Sequence, residues 1–354
     1  MRLKIGVLGL NHGYALARAT RACSAVELVG VCTRNPGHHR AEADQLQAPI
    51  FGDLDSMLSA LDLDGVAIAV PTDRLVPLTK RCLERGISVL VEKPVGVSLS
   101  EVLELKVAAA GTSARVVVGY YRRLARQVVA LKNLLSAGTI GEVLGVSCKL
   151  VVKKPESYFR GWKVSRSRGG GCLMINAIHD VDTLQHLLGP IEAVTAMQST
   201  MGADDDVEHL MVVNMKFRGG KLGTAIFSDL IPSPYCYDNT VAAVSKFPQY
   251  SVDSHHFFGT SGSLAFPSFT VHSSRAATDS WYDLMIASTV SDANNTIDDP
   301  IAREIEYFAR VLREEAQPHA TIDDAIQNLA VVSAIRRSLE LSTMVAVQPE
   351  RGDS

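Results

Sequence analysis

The segment ISVLVEKPVGVS (87–98) reads as an apolar core strand, yet it closes on Glu92, Lys93 and Pro94. Two opposite charges and a proline at the mouth of a buried strand are costly unless something uses them there. A lysine among low-dielectric walls has a lowered pKa and can trade a proton with a hydroxyl. The bland alternative is an ion pair that merely closes a strand. Further on, Asn176 and His179 stand at i and i+3, which puts both on one face of a helix. Histidine suits proton exchange near neutral pH, whereas asparagine can orient a hydroxyl but cannot take its proton. A core histidine at a helix start is the competing reading.

The first strand runs into Gly6-Val7-Leu8-Gly9-Leu10-Asn11-His12-Gly13. Such a strand–turn–helix places a pyrophosphate on backbone N–H groups at a helix N-terminus, here through Gly9, Leu10, Asn11 and His12. The spacing departs from GxGxxG, because position 11 is Asn and the next glycine comes one residue early. Asn tolerates a left-handed backbone, so the turn still forms. The second strand ends in Cys32-Thr33-Arg34, where an NAD-preferring fold carries a carboxylate for the ribose hydroxyls. Thr33 cannot supply that acceptor and Arg34 suits a 2′-phosphate, so NADP is expected ahead of NAD. Stacking of Arg34 on the adenine would leave the choice open.

Two further clusters have chemical character. His179, Asp182 and His186 line one helical face at metal-ligand spacing. An amphipathic helix accounts for them, and no metal is expected. The loop 153–171 carries Lys153, Lys154, Arg160, Lys163, Arg166 and Arg168 against Glu156 alone. A cluster this basic suits cofactor phosphates or a substrate carboxylate; a solvated loop is the plain alternative.

The elements that must position these residues fall into two sets. Strands predicted at 3–10, 26–33, 49–51, 65–70, 87–92 and 114–120 alternate with helices at 14–23, 37–46, 75–85 and 99–110. Strands apolar on both faces and alternating with helices imply a parallel sheet covered on both sides. After residue 121 the pattern becomes α+β. A helix is predicted at 122–135, a strand at 143–152 and a helix from Asn176 to Gly189. Strands follow at 193–200, 209–217, 221–228, 239–244, 257–260 and 263–266, and helices at 300–315 and 323–341 close the chain. The predicted organisation is a cofactor domain (1–121), an α+β domain with a mostly antiparallel sheet (122–345) and a disordered tail (346–354).

The order GVLGL, AVPTD, VLVEKPVGVS, GYYRR and GGGCLMINAIHDVDTLQHLLG resembles the Gfo/Idh/MocA family of NAD(P)-dependent oxidoreductases over nearly the whole chain. The resemblance implies a Rossmann domain followed by an α+β domain whose open sheet builds a homodimer or homotetramer. It implies oxidation or reduction of a CH–OH or C=O group on a sugar, cyclitol or related molecule. Lys93 matches the family's catalytic lysine, whose bond to the following proline is often cis. Val70, Pro71 and Glu92 fall on the cofactor side. Trp162-Lys163 resembles the family's Trp-Arg pair near the cofactor, and Arg122 a cofactor- or substrate-side position; Trp162 and Arg122 are expected on the cofactor, and Tyr121 and Lys163 on the substrate. Three positions depart: Leu75 replaces a frequent His, Asn11 a glycine, and Ile175 the Asp four residues before His179. Two other roles occur in the family: a non-catalytic cofactor-binding regulator, which the missing Asp favours, and an NAD-dependent glycoside hydrolase.

Bulk properties narrow the partners. At 354 residues the chain suits two domains, and 47% hydrophobic with 21% charged residues is ordinary for a packed soluble protein. A net charge of −3 gives no reason to expect nucleic acid or an anionic membrane. Six scattered cysteines without CxxC read as reduced thiols, consistent with a cytoplasmic location. The start MRLKIGVLGL faintly mimics a signal peptide but is better explained as a strand.

Overall fold

The computed structural model describes residues 2–199, 206–241, 247–274, 281–290 and 299–348. Six strands form the first sheet: β1 (Leu3–Leu8), β2 (Val26–Cys32), β3 (Ile50–Phe51), β4 (Gly65–Ile68), β5 (Ser88–Glu92) and β6 (Val116–Gly119). All pair in parallel in the order β3-β2-β1-β4-β5-β6, so the order reverses at β1/β4. Ligands of such sheets bind at that reversal, outside the carboxyl ends of the strands.

Side-chain alternation divides the cover of this sheet. Ile5, Val7, Leu90 and Val117 face α1 (Tyr14–Ala22) and α2 (Arg40–Leu46). Val89, Val91, Val116 and Val118 face α3 (Leu54–Ala60), α4 (Leu75–Leu83) and α5 (Leu99–Ala110). Helix α3 was not anticipated from the sequence; its start is fixed by Asp53, which accepts from Ser56 N at 2.8 Å.

The predicted helix from residue 122 begins later. Tyr121–Leu124 is a 3₁₀ turn, Ala125 is extended, and α6 spans Arg126–Ser136. Strand β7 (Val143–Val151) and helix α7 (Ile178–Leu188) flank the basic loop, which is organised by three 3₁₀ turns. Then come β8 (Ile191–Gln198), β9 (Leu210–Phe217) and β10 (Leu222–Ser228). A strand was expected at 239–244; Tyr237–Thr240 is instead the single helical turn α8, and 242–244 lie outside the described residues. The sheet continues through β11 (His255–Gly259), β12 (Gly262–Phe266), β13 (Thr270–Ser274) and β14 (Met285–Thr289).

The chain ends in α9 (Pro300–Leu312), α10 (Ile322–Leu341) and β15 (Val345–Ala346). The nine-stranded sheet runs β14-β13-β12-β11-β7-β10-β9-β8-β15, antiparallel except at β7/β10. The tail expected from residue 346 begins in order, since Val345 and Ala346 pair with β8; residues 349–354 lie outside the described residues.

Helix α9 was assigned to the second domain, but Ile305, Phe308 and Ala309 pack with Ile5, Val7 and α1 in the Rossmann core. Gly65 makes room for Phe308, whose ring lies 2.9 Å from where a Cβ would stand. An apolar stripe at i, i+3 and i+4 announces a buried face without saying which sheet it covers.

A buried polar knot ties the turn after β6 to α7 and α10. Arg123 donates to Asp182 at 3.0 and 2.6 Å and to Asp324 at 3.0 Å, and Asn328 Nδ2 donates to Asp182 at 2.8 Å. Asp182 is therefore committed to the knot, while His186 meets Lys132 at 3.2 Å. Asp182→Ala should lower unfolding free energy by about 2–3 kcal/mol, because Arg123 keeps only Asp324 and the His319 carbonyl and Asn328 loses its acceptor. Urea denaturation reads this directly; a loss below about 1 kcal/mol would mean that water already screens the knot.

Candidate active site

The turn after β1 has the geometry that a dinucleotide pyrophosphate requires. Gly9 has φ +97°, and a Cβ there would meet the Ala69 carbonyl oxygen at 2.2 Å. A Cβ on Gly13 would meet the Gly9 carbonyl oxygen at 2.3 Å. Only glycine fits at both positions, so the main chain can approach a ligand closely. Leu10 points into the core while Asn11 and His12 stand exposed at the rim. Thr33 is half-buried and Arg34 exposed beyond β2, and Val70 and Pro71 line the mouth of β4, half-buried. The residues present fit a nicotinamide dinucleotide lying across the carboxyl edge of the sheet.

At the end of β5, Glu92 and Lys93 take different surroundings, and the Lys93–Pro94 bond is cis. Glu92 is buried, with Oε1 3.5 Å from His12 Nε2 and Oε2 accepting from the Lys93 amide at 3.2 Å. Burial alone would raise its pKa, but His12 and Lys93 outweigh it and hold Glu92 below the usual carboxylate range. Lys93 Nζ donates to the Ile175 carbonyl at 2.8 Å. Burial pushes Lys93 down to about 8, with Arg122 and Lys154 adding to the fall and Glu92 and Asp238 opposing it.

Ile175 lies in a π turn, Leu173–Ala177, that leads into α7. Such turns recur at functional sites because they re-aim backbone groups. Here the main chain at Ile175, the position where the resemblance has an Asp that this sequence lacks, presents a carbonyl to Lys93.

His179 is buried, with its ring edge-on to Tyr121 at 5.2 Å between centroids, and its Nδ1 has no hydrogen-bond partner. Burial, then the charges of Lys93, Arg122 and His12, hold its pKa well below 6.5. Its imidazole is therefore neutral through the physiological range. Tyr121 Oη donates to Asp238 at 3.4 Å. Arg122 is brought beside Lys93, but its guanidinium is engaged 3.2 Å from Asp180 and 3.6 Å from Asp238, and lies 4.1 Å over the Tyr237 ring. Its reach into the cleft is therefore through its field.

Asn176 Oδ1 accepts from Lys154 Nζ, which also lies 3.4 Å from Asp229 Oδ2. Asp229 Oδ1 is 2.8 Å from His209 Nδ1, and Phe159 stands edge-on to the His209 ring. Trp162 and Lys163 are half-buried on the turn Gly161–Val164. Contacts thus link Lys93 to Ile175, His179 to Tyr121 and Asn176 to Lys154, while Thr33 and Arg34 stand beyond the end of β2.

Sequence reading passed over His209 and Asp229. The available signal was parity: His209 just before β9 and Asp229 just after β10 continue the inward alternation of Met211, Val213, Ala225 and Phe227. Cys148, Asp180 and His255 also lie within 4.8 Å of one another, at metal-ligand distances. The Arg122 guanidinium 3.2 Å from Asp180 supplies the positive charge there.

Fold and site together define an NAD-binding oxidoreductase. Residues 3–120 match the oxidoreductase family with an NAD-binding Rossmann fold, and residues 128–265 match the GFO/IDH/MocA C-terminal domain. The chain belongs to the Gfo/Idh/MocA family. It is 24% identical over 98% of its length to inositol 2-dehydrogenase of Rhizobium meliloti, covering 100% of that protein. Solved structures share the fold. One is an oxidoreductase from Agrobacterium radiobacter in complex with NAD+, L-tartaric acid and magnesium (TM-score 0.80, 16% identity, 98% of this chain and 99% of that one). Another is the WlbA dehydrogenase from Bordetella pertussis in complex with NADH and UDP-GlcNAcA (TM-score 0.78, 20% identity, 98% and 99%). Among the described residues no helix is long and apolar enough to cross a membrane.

Proposed function

We propose that this protein is an NAD(P)-dependent dehydrogenase or reductase acting on a CH–OH or C=O group of a sugar, cyclitol or related polyhydroxylated molecule. The observation that carries this reading is Lys93, half-buried at the nicotinamide edge of the sheet and brought down to about 8 beside a neutral His179. Inositol 2-dehydrogenase supports the substrate class by its name.

A bound nicotinamide would take up the hydride in the oxidation direction. Neutral Lys93 accepts the hydroxyl proton, and its ammonium form returns that proton in reduction. In either direction its charge stabilises developing alkoxide character. His179, neutral and packed edge-on against Tyr121, would hydrogen-bond the reacting oxygen or its neighbour through its imidazole. Asn176, with Oδ1 held by Lys154, keeps its amide N–H groups for an adjacent hydroxyl. Tyr121 closes the floor against His179.

Lys93→Met and His179→Ala should each lower kcat/KM by about a hundredfold or more while leaving the Kd for nicotinamide unchanged. A polyol panel without turnover, on protein that binds NADH, would overturn the catalytic reading in favour of a regulator. Oxidation needs Lys93 deprotonated, so kcat/KM for oxidation should rise with pH through about 8 and then level. The limb should vanish in Lys93→Met; a limb centred near 6.5 would point to a different base.

Thr33 and exposed Arg34 support NADP over NAD as cofactor. Arg34→Ala should weaken NADPH binding about tenfold and leave NADH binding untouched, as followed by nicotinamide fluorescence. Equal losses for both would mean that Arg34 stacks on adenine.

The open face of the second sheet supports assembly of identical copies. Met197 pairs with Val212 and Val212 with Ile226, making an apolar row across three strands. Met197 and Val212 are 76% and 43% exposed. Light scattering should report a dimer or tetramer that Val212→Asp breaks; a wild-type monomer at micromolar concentration would exclude it.

A further inference from the structure

The second-domain wall of the cleft carries more positive charge than its own side chains neutralise. Lys154 Nζ and Lys163 Nζ stand 4.1 and 3.8 Å from the centroid of the same Tyr158 ring. Lys154 shares Asp229 at 3.4 Å with His209, which holds the other carboxylate oxygen at 2.8 Å. No described residue forms an ion pair with Lys163. Its pKa is lowered by burial first and then by the charges of Lys154 and Arg160. Like charges crowded beside one ring repel unless an anion completes the set.

The seat is held in place. Arg168 Nε donates to Asp73 at 2.8 Å, pinning the loop to the Rossmann edge, and the Gly171 amide donates to the Lys163 carbonyl at 2.9 Å. Lys154 is only 11% exposed, and its bond to Asn176 places it one residue from Ile175, which holds Lys93. The seat is thus linked to Lys93 through Asn176 and Ile175, whereas cofactor phosphates would sit at the Gly9 turn after β1.

We propose that the substrate is a polyhydroxylated carboxylic acid, of aldonate or uronate type, whose carboxylate sits between Lys154 and Lys163 at the Tyr158 ring while its reacting hydroxyl lies at Lys93. This deepens the oxidoreductase reading and rests on it for the chemistry. In oxidation the carbinol C–H leaves as hydride to NAD(P)+, the O–H proton passes to Lys93, and C=O forms. The carboxylate is unchanged throughout and acts as the handle that sets which hydroxyl meets Lys93.

The test begins with fluorescence titration of NADH and continues with calorimetry on the NADH-loaded protein. The probes are matched pairs, D-gluconate against D-glucitol and D-glucuronate against D-glucose. At least one acid should bind about tenfold or more tightly than its neutral partner, with affinity falling as salt is raised. Lys163→Met, which breaks no ion pair among the described residues, and Lys154→Met should each remove that preference. Neutral sugars binding as well as the acids, no acid binding, or acid binding indifferent to both substitutions would overturn the proposal. Failure to bind NADH would sink the oxidoreductase reading alone. The acid pairs are then titrated on the free protein, where a Lys163-dependent preference still supports the seat and its absence overturns it.

Discussion

The hydrogen bond from Lys93 Nζ to the Ile175 carbonyl joins the edge of the Rossmann sheet to the turn that starts α7. Its partner is a dipole and not a full charge. A carboxylate would hold the ammonium protonated far above neutrality, whereas a carbonyl satisfies the donor and leaves burial to set the pKa. With Ile175 at this position the lysine is held by a main-chain oxygen, and its proton is more readily exchanged than it would be beside a carboxylate. The π turn makes this possible by re-aiming the backbone between Leu173 and Ala177.

Around that bond, charge is layered by depth. Deepest lie Asp180 and Arg122, buried together, with burial opposing the ionisation of Asp180 and Arg122 and His255 restoring it. Nearer the cleft come Lys93 and His179, each depressed by burial and by neighbouring cations. At the mouth His12 meets Glu92. Neutral imidazole and a weakly basic amine are what this field favours, because each added proton meets charge of its own sign.

Much of this was legible in the sequence, for reasons that differ by element. The doubly wound sheet was readable because parallel strands buried on both faces leave continuous apolar runs, and the turns between them need glycine. Lys93 was readable because charge at a strand end breaks such a run. His209 and Asp229 were not, since they lie at the ends of different strands and become neighbours only through the β9/β10 register. Lys154 was seen as one base among six, and nothing local tells it apart from exposed Lys153. Helix α9 was visible as a helix, but its destination was decided by a gap at Gly65 far away in the chain.

The return of α9 to the first sheet has a consequence for how the protein is made. The nucleotide-binding half receives Ile305 and Phe308 only after strands β7 to β14 of the second sheet have been synthesised. A nascent chain emerging from the ribosome therefore carries an incomplete Rossmann layer, covered on the Ile5 and Val7 face by α1 and α2 alone, while the second half is translated. The two halves cannot mature one after the other as independent units. Their completion is a single late event, closed by the last helices.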